Sequence, residues 1–313
     1  MRVLVTGGFG YLGGRIAQSL SSKGYKIILG SRKKQDSPSW LPKAEPVQIE
    51  WNNVENLRAI CGGVDVIVHT AGMNSQECFS EPVGAFEFNG IATARLVNAS
   101  IETEVSKFIY LSTAHVYCSP LIGEITEDSR LLNNHPYATS HSKGEDALLF
   151  PSQTTKNFKG FVLRLSNGVG APAHRNANCW MLAVNDFCRQ AIENGKIEIN
   201  SPKGVERDFF PIAILCSAIN SIVSNEDLDE GIINVSSSKT KSLKEIIEII
   251  TKRTEKLFGF KPEIVFKNKD LISSKVNLKI SNNKLRKIVK IEDSLELEID
   301  QLLLRCKEWF GSE

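Results

Sequence analysis

The 313-residue chain contains no Cys-x-x-Cys pair and carries almost no net charge. No stretch of it approaches the roughly 18 uninterrupted apolar residues that a membrane span needs. Each absence removes a class of protein. The seven cysteines, Cys61, Cys78, Cys118, Cys179, Cys188, Cys216 and Cys306, are odd in number and scattered. That argues against a disulfide framework or a cysteine-zinc site and fits a reducing compartment. His69, His135 and His174 lack metal-ligand spacing, so no metal site is expected. Lys plus Arg is 38 and Asp plus Glu is 36, a formal charge of +2, with no bias toward nucleic acid or a membrane surface. The apolar run from Met1 stops at Thr6-Gly7-Gly8, too short for the core of a signal peptide. The expectation is a cytoplasmic protein. No internal repeat or low-complexity tract is present.

What is present alternates. Hydrophobic residues make up 42% and charged residues 24%, an ordinary globular balance. Strands are expected at Arg2 to Val5, Tyr25 to Leu29, Val47 to Trp51, Val64 to His69, Lys107 to Leu111 and Phe161 to Leu165. Helices are expected at Tyr11 to Ser22, Val54 to Cys61, Phe86 to Ser100 and Tyr137 to Phe150. Regular alternation predicts parallel βαβ units with helices on both faces of the sheet. After about Ser166 the rhythm changes. A loop is expected over Asn167 to Asn178, then helices at Cys179 to Glu193, Leu243 to Leu257 and Leu295 to Phe310. Residues 1–165 therefore read as a nucleotide-binding domain. Residues 166–313 read as a smaller, mainly substrate-binding α/β part, with some segments returning to the first sheet.

Gly7, Gly10 and Gly13 form G-x-x-G-x-x-G between the first strand and the first helix. Missing side chains let the backbone approach a pyrophosphate, and the helix start, Tyr11-Leu12-Gly13, offers N–H groups to that anion. After the second strand, where a carboxylate selects a free ribose 2′-hydroxyl, the sequence has Gly30-Ser31-Arg32-Lys33-Lys34. Ser31 and Arg32 suit a 2′-phosphate, so NADP is favoured over NAD; the alternative is a solvated basic loop.

With this turn and Tyr137 downstream, the chain resembles the extended short-chain dehydrogenase/reductases, in the epimerase/dehydratase branch that works on nucleotide sugars. His69-Thr70-Ala71-Gly72 resembles the segment that lines the cofactor, and Asn89 matches the Asn of an N-x-x-G-T segment. Leu111-Ser112-Thr113 resembles the segment with the catalytic Ser or Thr. Arg164-Leu165-Ser166-Asn167-Gly168-Val169-Gly170 resembles R-x-x-N-x-x-G. Arg207-Asp208-Phe209 resembles R-D-F, and Ile233-Asn234-Val235 a later strand. The resemblance implies a Rossmann-type doubly wound parallel sheet and hydride transfer at a sugar carbon. Tyr137 would be the acid/base and Thr113 would bond the same oxygen. Gly7, Gly10, Tyr11, Leu12, Gly13, Ser31, Arg32, Ala71, Gly72, Asn89, Tyr137 and His141 would hold the cofactor. The resemblance also implies a homodimer through the helices Phe86 to Ser100 and Tyr137 to Phe150.

The pattern breaks once. The family motif Y-x-x-x-K reads Tyr137-Ala138-Thr139-Ser140-His141 here. Lys143, six residues on, is rotated by roughly 240° from Tyr137 on an ideal helix and points elsewhere. His141 can bond a ribose hydroxyl, but at a free pKa of about 6.5 it is mostly neutral near pH 7. Without a fixed cation the Tyr pKa falls less, which favours reduction over oxidation. Ala114 and His115 stand where dehydratases carry Asp-Glu, which disfavours a 4,6-dehydratase. His115 either faces the sugar or is a polar loop residue. Arg207 either binds a diphosphate bidentately or pairs with Asp208 or a neighbour. Asn167, Asn178 and the loop Ala171 to Ala177 complete the candidate substrate side. The tryptophans, Trp40 and Trp51 among them, read as core or interface residues. The expected function is an NAD(P)-dependent nucleotide-sugar epimerase or ketoreductase. The alternative is a catalytically weakened NAD(P)-binding sensor or scaffold.

Overall fold

A computed structural model describes residues 1–200, 206–267 and 277–311. Seven strands form one sheet: β1 (Arg2–Thr6), β2 (Lys26–Ser31), β3 (Glu45–Gln48), β4 (Val66–His69), β5 (Lys107–Thr113), β6 (Lys159–Leu165) and β7 (Gly231–Val235). Their order is β7-β6-β5-β4-β1-β2-β3, and every neighbouring pair is parallel. The chain winds outward from β1 in both directions, so a crevice opens at the C-terminal ends of β1 and β4. There Thr6 lies beside His69, and this is where open α/β sheets bind ligands.

The principal helices are α1 (Tyr11–Ser22), α2 (Val54–Cys61), α3 (Thr93–Glu102), α4 (Pro136–Thr154), α5 (Ala183–Asn194), α6 (Ile212–Ser224), α7 (Leu243–Phe258) and α8 (Leu295–Phe310). Side chains on a strand alternate between faces, and both faces here are apolar. Val3, Val5, Ile109 and Leu111 meet Ile16 and Leu20 of α1 and Leu215 and Ile219 of α6. Leu4, Ile28, Phe108 and Tyr110 meet Leu57 of α2, Leu96 of α3 and Leu148 of α4. The unbroken apolar run Phe108 to Leu111 within β5 is therefore a consequence of two-sided burial.

A second core is formed by α5, α7 and α8 around Phe187, Ile246, Ile250, Ile299 and Leu303. Beside it the short strands Lys196–Ile199 and Glu263–Phe266 pair in parallel. Ser242 starts α7 with a capping box: its hydroxyl accepts from Glu245 N–H while the Glu245 carboxylate accepts from Ser242 N–H. Later segments return to the first sheet: β7 pairs with β6 and α6 covers the α1 face.

Four expectations shift. The third strand is Glu45–Gln48 rather than Val47 to Trp51. It is an edge strand, which tolerates Pro46 and releases Trp51 from the sheet. The helix expected from Phe86 is a π-helical turn over Phe86–Ala92 that continues as α3, preceded by short helices Ser75–Ser80 and Pro82–Ala85. The expected loop after Ser166 opens with a strand, Asn167–Val169, pairing in parallel with Phe209–Pro211, and α5 starts only at Ala183.

Candidate active site

The glycine turn closes tightly on itself. Gly7 has φ +65°, and a Cβ there would lie 2.9 Å from both Ala71 N and Thr70 Oγ1. A Cβ on Gly13 would collide with the Gly7 carbonyl oxygen. Gly10 N–H donates to that oxygen at 2.8 Å. Thr70 Oγ1 donates to Thr6 O at 2.7 Å, fastening the end of β4 to the end of β1. Gly10 caps α1 without a side chain, and the first turn of α1 holds no acidic residue. The backbone N–H groups of Tyr11, Leu12 and Gly13 thus form a positive helix start with no internal carboxylate. The Tyr11 side chain takes no part there. Its hydroxyl donates to Gly170 O at 2.9 Å, and burial pushes the phenol far above its ordinary range. Leu12 packs against the core.

The loop Ala171 to Ala177, expected on the substrate side, packs in part on the outside of this turn. Arg15 donates to Ala171 O at 2.8 Å. His174 Nε2 lies 2.8 Å from Phe9 O, and its ring stacks on Trp40 at 5.4 Å. Asn178 is exposed at the end of that loop.

At the end of β2, Ser31 Oγ accepts from Lys33 N–H at 3.2 Å. The exposed Arg32 places its guanidinium 5.9 Å from the centre of the Phe88 ring. Trp51 meets Phe88 edge-on at 5.2 Å and His69 at 5.7 Å. Trp51 therefore borders this end of the crevice as well as the core. Asn89 sits in the π-helical turn, a distortion frequent at functional sites. Its Oδ1 accepts from Met73 N–H at 2.9 Å and its Nδ2 donates to Ser140 Oγ at 3.0 Å. It ties the segment after β4, which carries Ala71 and Gly72, to α4.

Tyr137, Thr113 and His141 converge. Thr113 ends β5 with its hydroxyl close enough to the Tyr137 phenol to bear on its pKa; its Oγ1 accepts from His115 N–H at 3.1 Å. Tyr137 is the second residue of α4, after Pro136. His135 caps that helix, its Nδ1 accepting from Tyr137 N–H at 3.2 Å. Burial pushes the Tyr137 phenol up, and the nearby Thr113 hydroxyl opposes that rise. One turn on, the His141 ring lies 4.7 Å edge-on from the Tyr137 ring. His141 is buried, and desolvation pulls its pKa down to about 4. Its Nδ1 is 2.8 Å from Tyr110 Oη. Lys143 faces outward, as its spacing predicts, and pairs with Asp146 at 2.9 Å.

Sequence reasoning missed the layer beneath. Tyr110 stacks on His69 at 5.5 Å. His69 Nδ1 lies 2.7 Å from Thr6 Oγ1 and its Nε2 3.0 Å from Thr93 Oγ1. Burial pulls His69 down to about 3. Beside this layer, Glu145 of α4 holds Arg164 of β6 through Nη2 at 2.5 Å and Nε at 3.0 Å, and accepts from Ser112 Oγ at 2.5 Å. Arg164, quoted as the start of a substrate-side motif, is buried under α4 and faces the Tyr117 ring at 4.8 Å.

On the substrate side, Arg207 is partly buried and has no ion pair among the described residues. Asp208 does not pair with it. Asp208 accepts from Ser166 Oγ at 2.5 Å and Ser237 N–H at 2.9 Å. Burial, and then the charges of Arg207 and His135, lower the His115 pKa. Asn167 is occupied in structure, its Nδ2 donating to Asp208 O at 2.8 Å. Among the described residues no group of three His, Cys, Asp or Glu is placed to hold a metal. No helix there is long and apolar enough to cross a membrane.

The fold is a Rossmann-type doubly wound parallel sheet, with Tyr137 and Thr113 at its C-terminal edge. The chain belongs to the NAD dependent epimerase/dehydratase family, whose model matches residues 3–236. It is 28% identical over 181 residues to a UDP-glucose 4-epimerase of Dictyostelium discoideum, covering 54% of this chain and 53% of the relative. It is 33% identical over 162 residues to a dTDP-D-glucose 4,6-dehydratase of Mus musculus, covering 46% and 44%. The chain spans about half the length of these relatives. The solved structure of MoeE5 in complex with UDP-glucose and NAD superposes with TM-score 0.81 over 98% of this chain and 99% of that one, at 19% identity. That likeness establishes the fold.

Proposed function

We propose that this chain is an NAD(P)-dependent enzyme that epimerises or reduces a nucleotide sugar at a ring carbon. The observation that carries the reading is the convergence of Thr113, Tyr137 and His141 beside a glycine turn built for a pyrophosphate. The residues fit a dinucleotide. Gly7, Gly10 and Gly13 with the N–H groups of Tyr11 and Leu12 would take the phosphates. Ser31 and Arg32 would take the adenosine ribose. Ala71, Gly72, Tyr137 and His141 would border the nicotinamide half, with Asn89 holding Ala71 and Gly72 in place. When bound, the cofactor supplies a hydride acceptor and donor.

Tyr137 gives or takes the proton of the sugar hydroxyl, and Thr113 bonds the same oxygen. No fixed cation lies one turn beyond Tyr137, and burial raises the phenol further. The phenol therefore stays protonated near neutrality, which favours the proton-donating, reductive direction. Arg207, with no ion pair of its own among the described residues, would take the diphosphate, with His115 facing the sugar. No carboxylate stands at Ala114 or His115, the positions that would serve water elimination, so a 4,6-dehydratase is disfavoured. Arg32, with no carboxylate beside Ser31, favours NADP over NAD. The exposed Phe150 of α4, with Val83 and Ile91 on the short helical segments before α3, suits a homodimer.

The test is a panel of UDP-, GDP- and dTDP-sugars, with their keto forms, incubated with the purified chain and either cofactor and followed by proton NMR. A new sugar signal from one of them is expected, and it should be lost in Tyr137→Phe. Cofactor binding with every sugar unchanged would leave a binding protein instead.

A further inference from the structure

The position that holds a cation one turn after the tyrosine in the resembled motif holds a neutral ring here, and its surroundings fix that ring's proton. Tyr110 is buried in β5, and its hydroxyl hydrogen needs an acceptor. The hydrogen bond made by that hydroxyl is to His141 Nδ1, at 2.8 Å. If Nδ1 carried the proton, the two hydrogens would oppose each other and one buried donor would go unpaired. Tyr110 therefore donates and Nδ1 accepts, which leaves the imidazole proton on Nε2.

The far side of the ring points to the crevice. A Cβ on Gly72 would lie 3.7 Å from His141 Cε1 and 3.9 Å from Nε2. No hydrogen bond to Nε2 is made among the described residues, and Nε2 is not among the sealed, unpartnered polar atoms. The groups around the ring are the Tyr110 hydroxyl from β5, the Tyr137 phenol from α4 and His69 from β4. None is a cation or a carboxylate positioned to charge it.

We infer that Tyr110 is a positioning residue that locks His141 as a neutral Nε2–H donor, aimed at a hydroxyl of the cofactor's nicotinamide ribose beside Gly72. This rests on the cofactor placement proposed above. The pair replaces the hydrogen-bonding half of the lysine's role and leaves out its charge. Tyr110 acts through His141 and touches neither cofactor nor sugar.

Histidine-nitrogen NMR on the full chain tests this directly. With five histidines in all, a His141→Asn variant identifies the His141 signals. The expected spectrum shows the pure Nε2–H tautomer, unchanged between about pH 5.5 and about pH 8. An Nδ1–H tautomer, or a titration near the ordinary histidine value, would overturn the proposal. In Tyr110→Phe the tautomers should mix, and calorimetric titration with NAD and NADP should show affinity weakened about threefold to tenfold, the effect of one neutral hydrogen bond. Unchanged affinity in that variant would also overturn it. If the wild-type chain bound neither dinucleotide, the cofactor reading itself would fail, whatever the tautomer. If it bound one and the tautomer were wrong, the inference alone would fail. The wild-type spectrum decides even if Tyr110→Phe does not fold.

Discussion

At the scale of single residues, Gly13 shows how little freedom the site has. Its missing Cβ is the space occupied by the Gly7 carbonyl oxygen, so Gly13→Ala must push apart the turn that would cradle the phosphates. Titration calorimetry should show dinucleotide affinity reduced at least about tenfold, while the fold, held by cores elsewhere, melts within a few degrees of wild type. Retained affinity would mean the turn is structural only. This turn was legible in the sequence because glycine spacing between a strand and a helix is a local signal. Tyr137 and Thr113 were expected from the resemblance to a family motif, and the outward direction of Lys143 from helical spacing. The roles of Tyr110, His69 and Thr93 were not. They meet across three elements, and nothing in the order of residues says that His69 lies between Thr6 and Thr93. Asn89 was found, but its task of joining Met73 to Ser140 depends on a π-helical turn with no spacing signature of its own.

At the scale of elements, α4 carries both Tyr137 and His141, so its register against β5 sets the site. Glu145 fixes that register. Its carboxylate takes Ser112, the residue before Thr113, and Arg164 of β6. Both charges are buried. Glu145→Ala strands the guanidinium and should cost about 3–5 kcal/mol in denaturant melts. Replacing Glu145 by Leu and Arg164 by Met together should cost markedly less, because no charge is left unpaired. Equal losses in the two variants would show that the pair contributes packing rather than electrostatics. The sequence placed these elements well where two-sided burial or helical periodicity was long, as in β5, α1 and α8. It placed them poorly where burial was one-sided or short. The third strand ran late because Val47 and Trp51 are both apolar, although only Val47 lies in the sheet and Trp51 turns to the crevice.

At the scale of the whole molecule, one carboxylate couples the two cores. Glu298 of α8 accepts from Arg15 of α1 at 3.1 Å and from Ala213 N–H, in the first turn of α6, at 2.9 Å. Contacts 283 and 85 residues apart leave no trace in local pattern. The contact of the loop Ala171 to Ala177 with Phe9, at the other end of the chain, is equally invisible to local pattern. The buried histidines also govern stability. His69 and His141 are pulled to about 3 and about 4 in the fold, whereas an unfolded chain restores values near about 6.5. In that window the unfolded chain binds more protons, so stability is complete above about pH 6.5 and falls as the pH drops toward about 4. Thermal melts should show Tm declining between about pH 6.5 and about pH 5.5, above the range where ordinary carboxylates titrate. A His141→Asn variant should decline less steeply. A flat profile over that interval would contradict the neutral, buried state of both rings.

The central claim is that Tyr137 and Thr113 handle the proton while a bound dinucleotide exchanges hydride with a nucleotide sugar. The most direct measurement follows the absorbance of reduced nicotinamide after the chain, loaded with its preferred cofactor, is mixed with each sugar of the panel. The account predicts a change in cofactor redox state with at least one nucleotide sugar, slowed at least about a hundredfold in Tyr137→Phe. A cofactor that binds and stays unchanged with every sugar, or a change that Tyr137→Phe leaves at the wild-type rate, would contradict it.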